Sequence, residues 1–324
     1  MNKLVTVIIP VHNAKLFLDR TVGAVLAQTY SDFQLVLVDD GSTDGSTDMI
    51  EGFAKSDSRV QAVFQSVQGV GAAQNAGLDA AEGDLLTFCD HDDFYHPQYL
   101  EMLLDAIEST GGDIAKCRWL RPGLTDVPGI SFSTYAAADV GVTAFGDPLR
   151  IYQTVFSRLL RILGHNEATY LNEANWGKLY RAALFDGVRF PAGRFAQDIS
   201  VAGALLARAQ RVADVAVPLY YWVQHAGSIS HNRRNFKFLD DNIAAASKNF
   251  DLSLELGVVP YRSYFMLRET LSDIVKLDGD HRDYVAGVHR DYLARMPNRV
   301  RADAMFLVRH LENIAYNVTV HSRS

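Results

Sequence analysis

Cysteine is nearly missing: the 324 residues contain only Cys89 and Cys117. Two thiols cannot build a disulfide framework or a four-thiolate metal site, and because each ends an apolar run, both read as reduced core thiols. Positive charge is not in excess either. A formal net charge of −7 and a pI near 5.8 argue against nucleic acid as the main partner, though not against a small anionic ligand held with a bound cation. No apolar run approaches the roughly 18–20 residues that span a bilayer. Met1-Asn2-Lys3 leads straight into Leu4–Pro10 with no small-residue cleavage site, so a cytoplasmic chain without a secretory leader is expected. There is no internal repeat and no low-complexity segment. A G-x-x-x-x-G-K-[ST] phosphate loop is absent, and Gly69–Gly77 does not fit G-x-G-x-x-G, which argues against a Walker-type ATPase and a dehydrogenase.

What is present is a regular alternation. Apolar runs suited to buried strands are Leu4–Val11, Phe33–Val38, Val60–Gln65, Asp84–Cys89 and Asp113–Cys117. Ala14–Gln28, Asp44–Lys55 and Pro97–Ser109 lie between them with helical spacing. Continuous apolar strands alternating with helices predict an α/β fold with a mostly parallel sheet covered on both faces. Residues 119–146 show no sustained period and read as a long loop or lid. Helical character returns at Pro148–Leu163. Strand-like runs occur at Val212–Val217 and Leu219–Val223, and amphipathic helices follow from Phe236. The expected organisation is residues 1–118 as one α/β half, 119–235 as the second half of the same domain, and 236–324 as a helical extension.

Ligands of open parallel sheets bind beyond the carboxyl ends of the strands. Here those ends carry Pro10-Val11-His12-Asn13, Asp39-Asp40-Gly41-Ser42-Thr43-Asp44, Gly69-Val70-Gly71 with Asn75-Ala76-Gly77, and Asp90-His91-Asp92-Asp93. Three carboxylates in four residues repel one another at a partly buried edge, and a divalent cation removes the conflict. All-oxygen ligands suit Mg²⁺ or Mn²⁺. The competing reading is a solvated acidic turn ahead of the helix at Pro97. Asp39 and Asp40 can accept from a base N–H or a ribose hydroxyl, while Ser42, Thr43 or Asp44 caps the next helix.

These segments, together with Leu26-Ala27-Gln28-Thr29-Tyr30, resemble family 2 glycosyltransferases of the GT-A fold in both order and spacing across residues 4–110. Asn175-Trp176-Gly177-Lys178-Leu179-Tyr180-Arg181 and Gly227-Ser228-Ile229-Ser230-His231 resemble segments of bacterial polysaccharide-type members. The resemblance implies inverting transfer of a sugar from a nucleotide diphosphate donor, commonly a UDP-sugar, to a hydroxyl of a saccharide or lipid-linked acceptor. It places Pro10, His12, Asn13, Asp39, Asp40, Asn75 and Asp90 around the nucleotide sugar, with Asp40 on the uracil. Asp92 and Asp90 would bind Mn²⁺ or Mg²⁺ in an Asp-x-Asp motif, with Asp93 and His231 as further candidates. Asp198 falls where such enzymes keep the catalytic base, although relatives often carry Glu where this chain has Gln197. Asp198 also reads as the cap of a helix over 199–208, and Trp176 as either an acceptor-stacking platform or plain core.

Two other functions compete with the transferase reading: a nucleotidyltransferase, which would release pyrophosphate, and a non-catalytic nucleotide-sugar-binding protein. In the tail, Arg299, Arg301 and Arg309 flanking Met305, Phe306 and Leu307 predict contact with an anionic membrane at its inner face. Tyr261, Tyr264, Phe265 and Leu267 with Phe236 and Phe238 need a partner surface, either the catalytic domain or a second copy in a homodimer.

Overall fold

Runs of Val, Ile and Leu without polar interruption make strands that are covered on both faces. In the computed structural model, which describes residues 3–136, 139–225, 236–270 and 279–321, β1 (Val5–Val11) and β2 (Phe33–Asp40) are buried at every position. They alternate with α1 (Leu18–Leu26) and α2 (Ser46–Ser56), followed by β3 (Val60–Gln65), α3 (Val70–Asp79), β4 (Leu85–Phe88), β5 (Phe94–Tyr95), α4 (Tyr99–Thr110) and β6 (Ile114–Leu120). Later strands are β7 (Val142–Gly146), β8 (Lys178–Arg181) and β9 (Arg211–Tyr221). The chain divides into two compact units. The first takes the residues up to Gly146, Ala174–Gln197 and the segment from Arg208; the second takes Asp147–Glu173, Asp198–Ala207 and the C-terminal helices.

The first unit is a nine-stranded sheet in the order β3-β2-β1-β4-β8-β6-β9-β5, with β7 paired to β9. β1 is parallel to β2 and β4, and β2 to β3, so the ends of these strands share one edge. Cys89 and Cys117 are both free and buried, as expected of reduced core thiols. The sheet departs from the sequence reading at β8, which enters antiparallel between β4 and β6. Its four residues are too short to show a period, and the flanking strands supply its hydrogen bonds.

Three local expectations also change. The first helix begins at Leu18 rather than Ala14, because the Ala14 carbonyl accepts from the N–H groups of Phe17 and Leu18 in a turn that leaves Leu16 exposed. Residues 119–146 are not an open loop throughout. They contain β7, and the Gln98 side-chain amide both donates to and accepts from the Tyr135 backbone. Val212–Val217 and Leu219–Val223 join into one strand whose pairing with β6 shifts register near Pro218, where a missing N–H is tolerated.

The second unit is helical: α5 (Pro148–Thr154), α6 (Arg158–Leu163), most of α7 (Gln197–Arg208), α8 (Phe236–Glu255), α9 (Tyr261–Glu269), α10 (Gly279–Arg295) and α11 (Arg299–His321). The expected helix over Pro148–Leu163 breaks at Ser157, whose hydroxyl caps α6 by accepting from the Leu160 N–H. Its core includes Leu239, Ile243, Phe250, Tyr264, Leu267 and Met305. Buried Gln153 staples α5 to α8 and α9, donating to Ser253 and Ser263 hydroxyls at 3.0 Å each and accepting from the Arg262 N–H. Tyr261, Tyr264, Phe265 and Leu267 are buried in this core, so they do not require a second subunit to cover them. Met305 and Phe306 pack there too, which removes them from the membrane-facing set; Leu307 is exposed. Among the described residues no helix is long and apolar enough to cross a membrane.

Candidate active site

The parallel order places the ends of β1, β2 and β4 side by side, and short polar loops leave each. The loops after β1 and β2 are tied together. His12 Nδ1 lies 2.8 Å from the Asp40 carbonyl, the Asn13 N–H donates to Ser42 Oγ, and the Thr43 N–H donates to Asn13 Oδ1. Asn13 takes a left-handed backbone (φ 51), a conformation Asn tolerates better than most residues. Pro10 is buried in β1, and its carbonyl faces His91 Nδ1 at 3.3 Å.

Asp39 and Asp40 are buried, and both organise loops. Asp39 accepts from the Ser42 N–H and the Thr47 hydroxyl. Asp40 accepts from the Gln65 amide and from the N–H groups of Gln68 and Gly69, at 2.6–2.8 Å. Asp40 thus fixes the backbone that leads into α3. The glycines there serve packing: a Cβ on Gly71 would sit 2.4 Å from the Pro191 carbonyl oxygen, and one on Gly77 would sit 2.3 Å from Ile8 Cγ2. Asn75 bridges the same approach, donating to the Phe190 carbonyl and accepting from its N–H. In this structure the Asn75 amide clamps the chain at Phe190, with one bond at each end.

The acid loop after β4 separates its three carboxylates by burial. Asp93 is fully buried and turned inward, accepting from the Tyr220 hydroxyl at 2.6 Å and the Val223 N–H at 2.8 Å. Burial, with Asp90 and Asp92 adding to it, holds its pKa well above the usual carboxylate range. Asp93 is thus a scaffold residue and not a metal ligand. Asp90 and Asp92 are half-buried at the edge. Asp92 Oδ2 lies 2.7 Å from His225 Nε2, and the His225 ring packs on Phe17 with centroids 4.9 Å apart. From α1, Thr21 donates its hydroxyl to the carbonyls of His91 and Asp93, and Arg20 donates to the Asp92 carbonyl. The Arg20 guanidinium lies over Phe94, and its burial lowers its pKa against the pull of Asp93 and Asp92.

Sequence reasoning missed Arg20, Thr21, Tyr220 and His225. Only Tyr220 carried a signal, as a polar-tipped residue within a strand-like run. The rest are assigned by contacts between segments distant in sequence.

The residues present fit a hard divalent cation. With Asp93 withdrawn, Asp90 and Asp92 remain, and Mg²⁺ or Mn²⁺ ordinarily takes one or two carboxylates and completes its shell with phosphate and water oxygens. Among the described residues no group of three His, Cys, Asp or Glu side chains is placed to hold a metal ion. His231 lies outside the described residues.

Trp176 is not a sugar platform. It is 9% exposed, stacks on Tyr220 with centroids 4.6 Å apart and planes at 12°, and is flanked by Trp119 and Trp222. Its faces are spent inside the first unit's core. Asp198 belongs to the second unit, half-buried in the first turn of α7, where its Oδ1 accepts from the Ile199 N–H at 2.8 Å. Asn249 on α8 donates to the Ile199 carbonyl and fixes that turn.

Comparison with known proteins adds to this geometry. The family model "Glycosyl transferase family 2" matches residues 6–156. Glycosyltransferase GlyA of Streptococcus pneumoniae is 28% identical over 253 residues, 78% of this chain. The alignment spans only 35% of that longer protein. Among solved structures, Staphylococcus aureus TarS residues 1–349 with UDP-GlcNAc aligns at TM-score 0.66 and 19% identity, covering 94% of this chain and 83% of that one. The mannosyltransferase PcManGT from Pyrobaculum calidifontis, with GDP-Man and Mn²⁺, aligns at TM-score 0.52 and 14% identity over 97% of this chain and 88% of that one. Both likenesses show the GT-A fold.

Proposed function

We propose that this chain is a family 2 glycosyltransferase that transfers a sugar with inversion from a UDP-sugar to a hydroxyl of a saccharide or lipid-linked acceptor in bacterial surface-glycan synthesis. The observation that carries the reading is the arrangement of Asp40, Asp90 and Asp92 on one sheet edge, with Asp93 withdrawn from it. That edge is where open parallel sheets bind nucleotides. A UDP-sugar on a solved relative and GDP-Man with Mn²⁺ on another support the donor class and a divalent metal.

In this reading, the loops pinned by Asp39, Asp40 and Asn13 receive the base and ribose, with Pro10 and His12 at the pocket wall. Asp90 and Asp92 would hold Mn²⁺ or Mg²⁺, which would supply positive charge for departure of the nucleoside diphosphate. Asp198 takes the acceptor's hydroxyl proton. The acceptor oxygen forms a bond to the anomeric carbon from the side opposite the breaking carbon–oxygen bond, so UDP departs with the bonding pair and no protein nucleophile is needed. The chain acts in the cytoplasm, where nucleotide sugars are supplied.

The test is release of UDP when the purified chain is given a panel of UDP-sugars and acceptors with Mn²⁺. UDP release that falls at least about a hundredfold in Asp198→Asn, with UDP affinity kept, supports the assignment. Pyrophosphate as the product points to a nucleotidyltransferase. Tight UDP binding without turnover on any donor points to a binding protein.

A further inference from the structure

The second unit carries an apolar surface that its own core does not use. On α6, Leu159, Leu160, Ile162 and Leu163 are 40–68% exposed. On α11, Leu307, Leu311 and Ile314 are 48–56% exposed and recur at helical spacing along one stripe. The two sets are joined, because the Glu312 carboxylate accepts from the Ser157 hydroxyl and from the N–H groups of Arg158 and Leu159. Scattered surface leucines need no explanation, but a contiguous apolar corner of this kind marks an interaction surface.

The charge around this corner selects its partner. Segments 158–163 and 299–321 hold five arginines against two carboxylates, within a chain whose net charge is −7. Both acids are engaged: Asp303 accepts from the Tyr264 hydroxyl and Arg268 and pairs with Arg299, and Glu312 caps α6 and pairs with Arg309. Arg161 pairs with Glu167, so the surplus positive charge rests on Arg158 and Arg301. Arg158, Arg299 and Arg301 are exposed. A two-fold dimer through this face would set a basic patch on its own copy, and like charges oppose that. A surface of anionic headgroups over an apolar layer complements both features.

We propose that the α6–α11 corner docks on an anionic lipid bilayer, with the leucines and isoleucines at the headgroup–acyl boundary and the arginines on lipid phosphates. This stands on the second unit alone and does not depend on the transferase reading. The experiment is flotation of the full chain with vesicles of phosphatidylcholine containing phosphatidylglycerol, or of phosphatidylcholine only. Binding is expected on the anionic vesicles, weakening as salt rises. It should fall about tenfold or more in a Leu159→Ser/Ile162→Ser/Leu163→Ser variant. All three side chains are solvent-facing, so circular dichroism should show an unchanged fold. Leu256→Ser, at an exposed leucine on neither α6 nor α11, should bind as the wild type does. No binding to either vesicle overturns the proposal, as does equal binding by the wild type and the triple variant. A concentration-dependent dimer in sedimentation that the triple variant abolishes would also overturn it, assigning the face to a second copy.

Discussion

Asp92 and His225, 133 positions apart in the chain, meet with Oδ2 and Nε2 2.7 Å apart. The contact orients the carboxylate that the proposed diphosphate site depends on, and Phe17 braces the imidazole from the other side. A hydrogen bond to a charged group is worth about 1.5–3 kcal/mol. His225→Ala is therefore expected to weaken Mn²⁺-dependent UDP binding about tenfold, and Asp92→Asn to remove the metal dependence altogether. Calorimetric titration of UDP with and without Mn²⁺ measures both, and unchanged affinity in His225→Ala would show that the pair is incidental.

Asp93, one residue further on, is expected to behave differently. Its partners Tyr220 and Val223 are internal. Tyr220→Phe leaves a buried carboxyl short of a donor and the Asp90 N–H without the hydroxyl it meets at 3.3 Å, so it should cost about 1–3 kcal/mol in urea unfolding and lower UDP affinity less than Asp92→Asn does. A loss of affinity with no loss of stability would return Asp93 to the ligand site.

The glycines of α3 offer a packing test. A Cβ at Gly71 meets the Pro191 carbonyl oxygen at 2.4 Å, and backbone cannot swing aside, so Gly71→Ala should destabilise by about 1–3 kcal/mol. At Gly52 in α2 a Cβ meets nothing within 4 Å. Gly52→Ala should stabilise by about 0.5–1 kcal/mol through helix propensity. Thermal melts of the two variants should move in opposite directions.

Lys116, buried on β6 against Asp214, supplies a pH signature. Burial lowers its pKa to about 8, with Asp214 opposing the shift, and Arg118 forms a second pair with the same carboxylate. Between about pH 8 and the ordinary lysine value the unfolded chain holds a proton that the folded chain has lost, so this group's contribution to stability rises with pH. Lys116→Met removes that contribution and leaves Asp214 paired with Arg118. The stability of the wild type relative to the variant should rise by about 2 kcal/mol from pH 7 to pH 10, read from urea unfolding at each pH. A flat difference would mean that Lys116 titrates normally.

The regular elements of the first half were legible because their signals are local. Val5–Val11 and Phe33–Asp40 are apolar apart from Thr6 and Gln34, which bond to each other, until the polar residues that end or follow them, and parallel pairing places those ends together. Residues whose place depends on distant partners were not legible. Trp176 looks the same in sequence whether it faces a sugar or stacks on Tyr220, because the stack joins segments 44 residues apart. Lys178–Arg181 becomes a strand because β4 and β6 leave an unpaired edge on each side of it.

The sequence by itself determined the alternation of strand and helix and the clustering of polar residues at the strand ends, since periodicity and spacing are properties of neighbouring residues. Tertiary structure alone decided the division of labour within that cluster. Asp90, Asp92 and Asp93 are chemically equivalent along the chain, and Asp93 is set apart because Tyr220 and Val223 draw its carboxylate out of water while His225 orients Asp92 at the edge. Burial and hydrogen bonding act through space, and they give identical side chains different tasks.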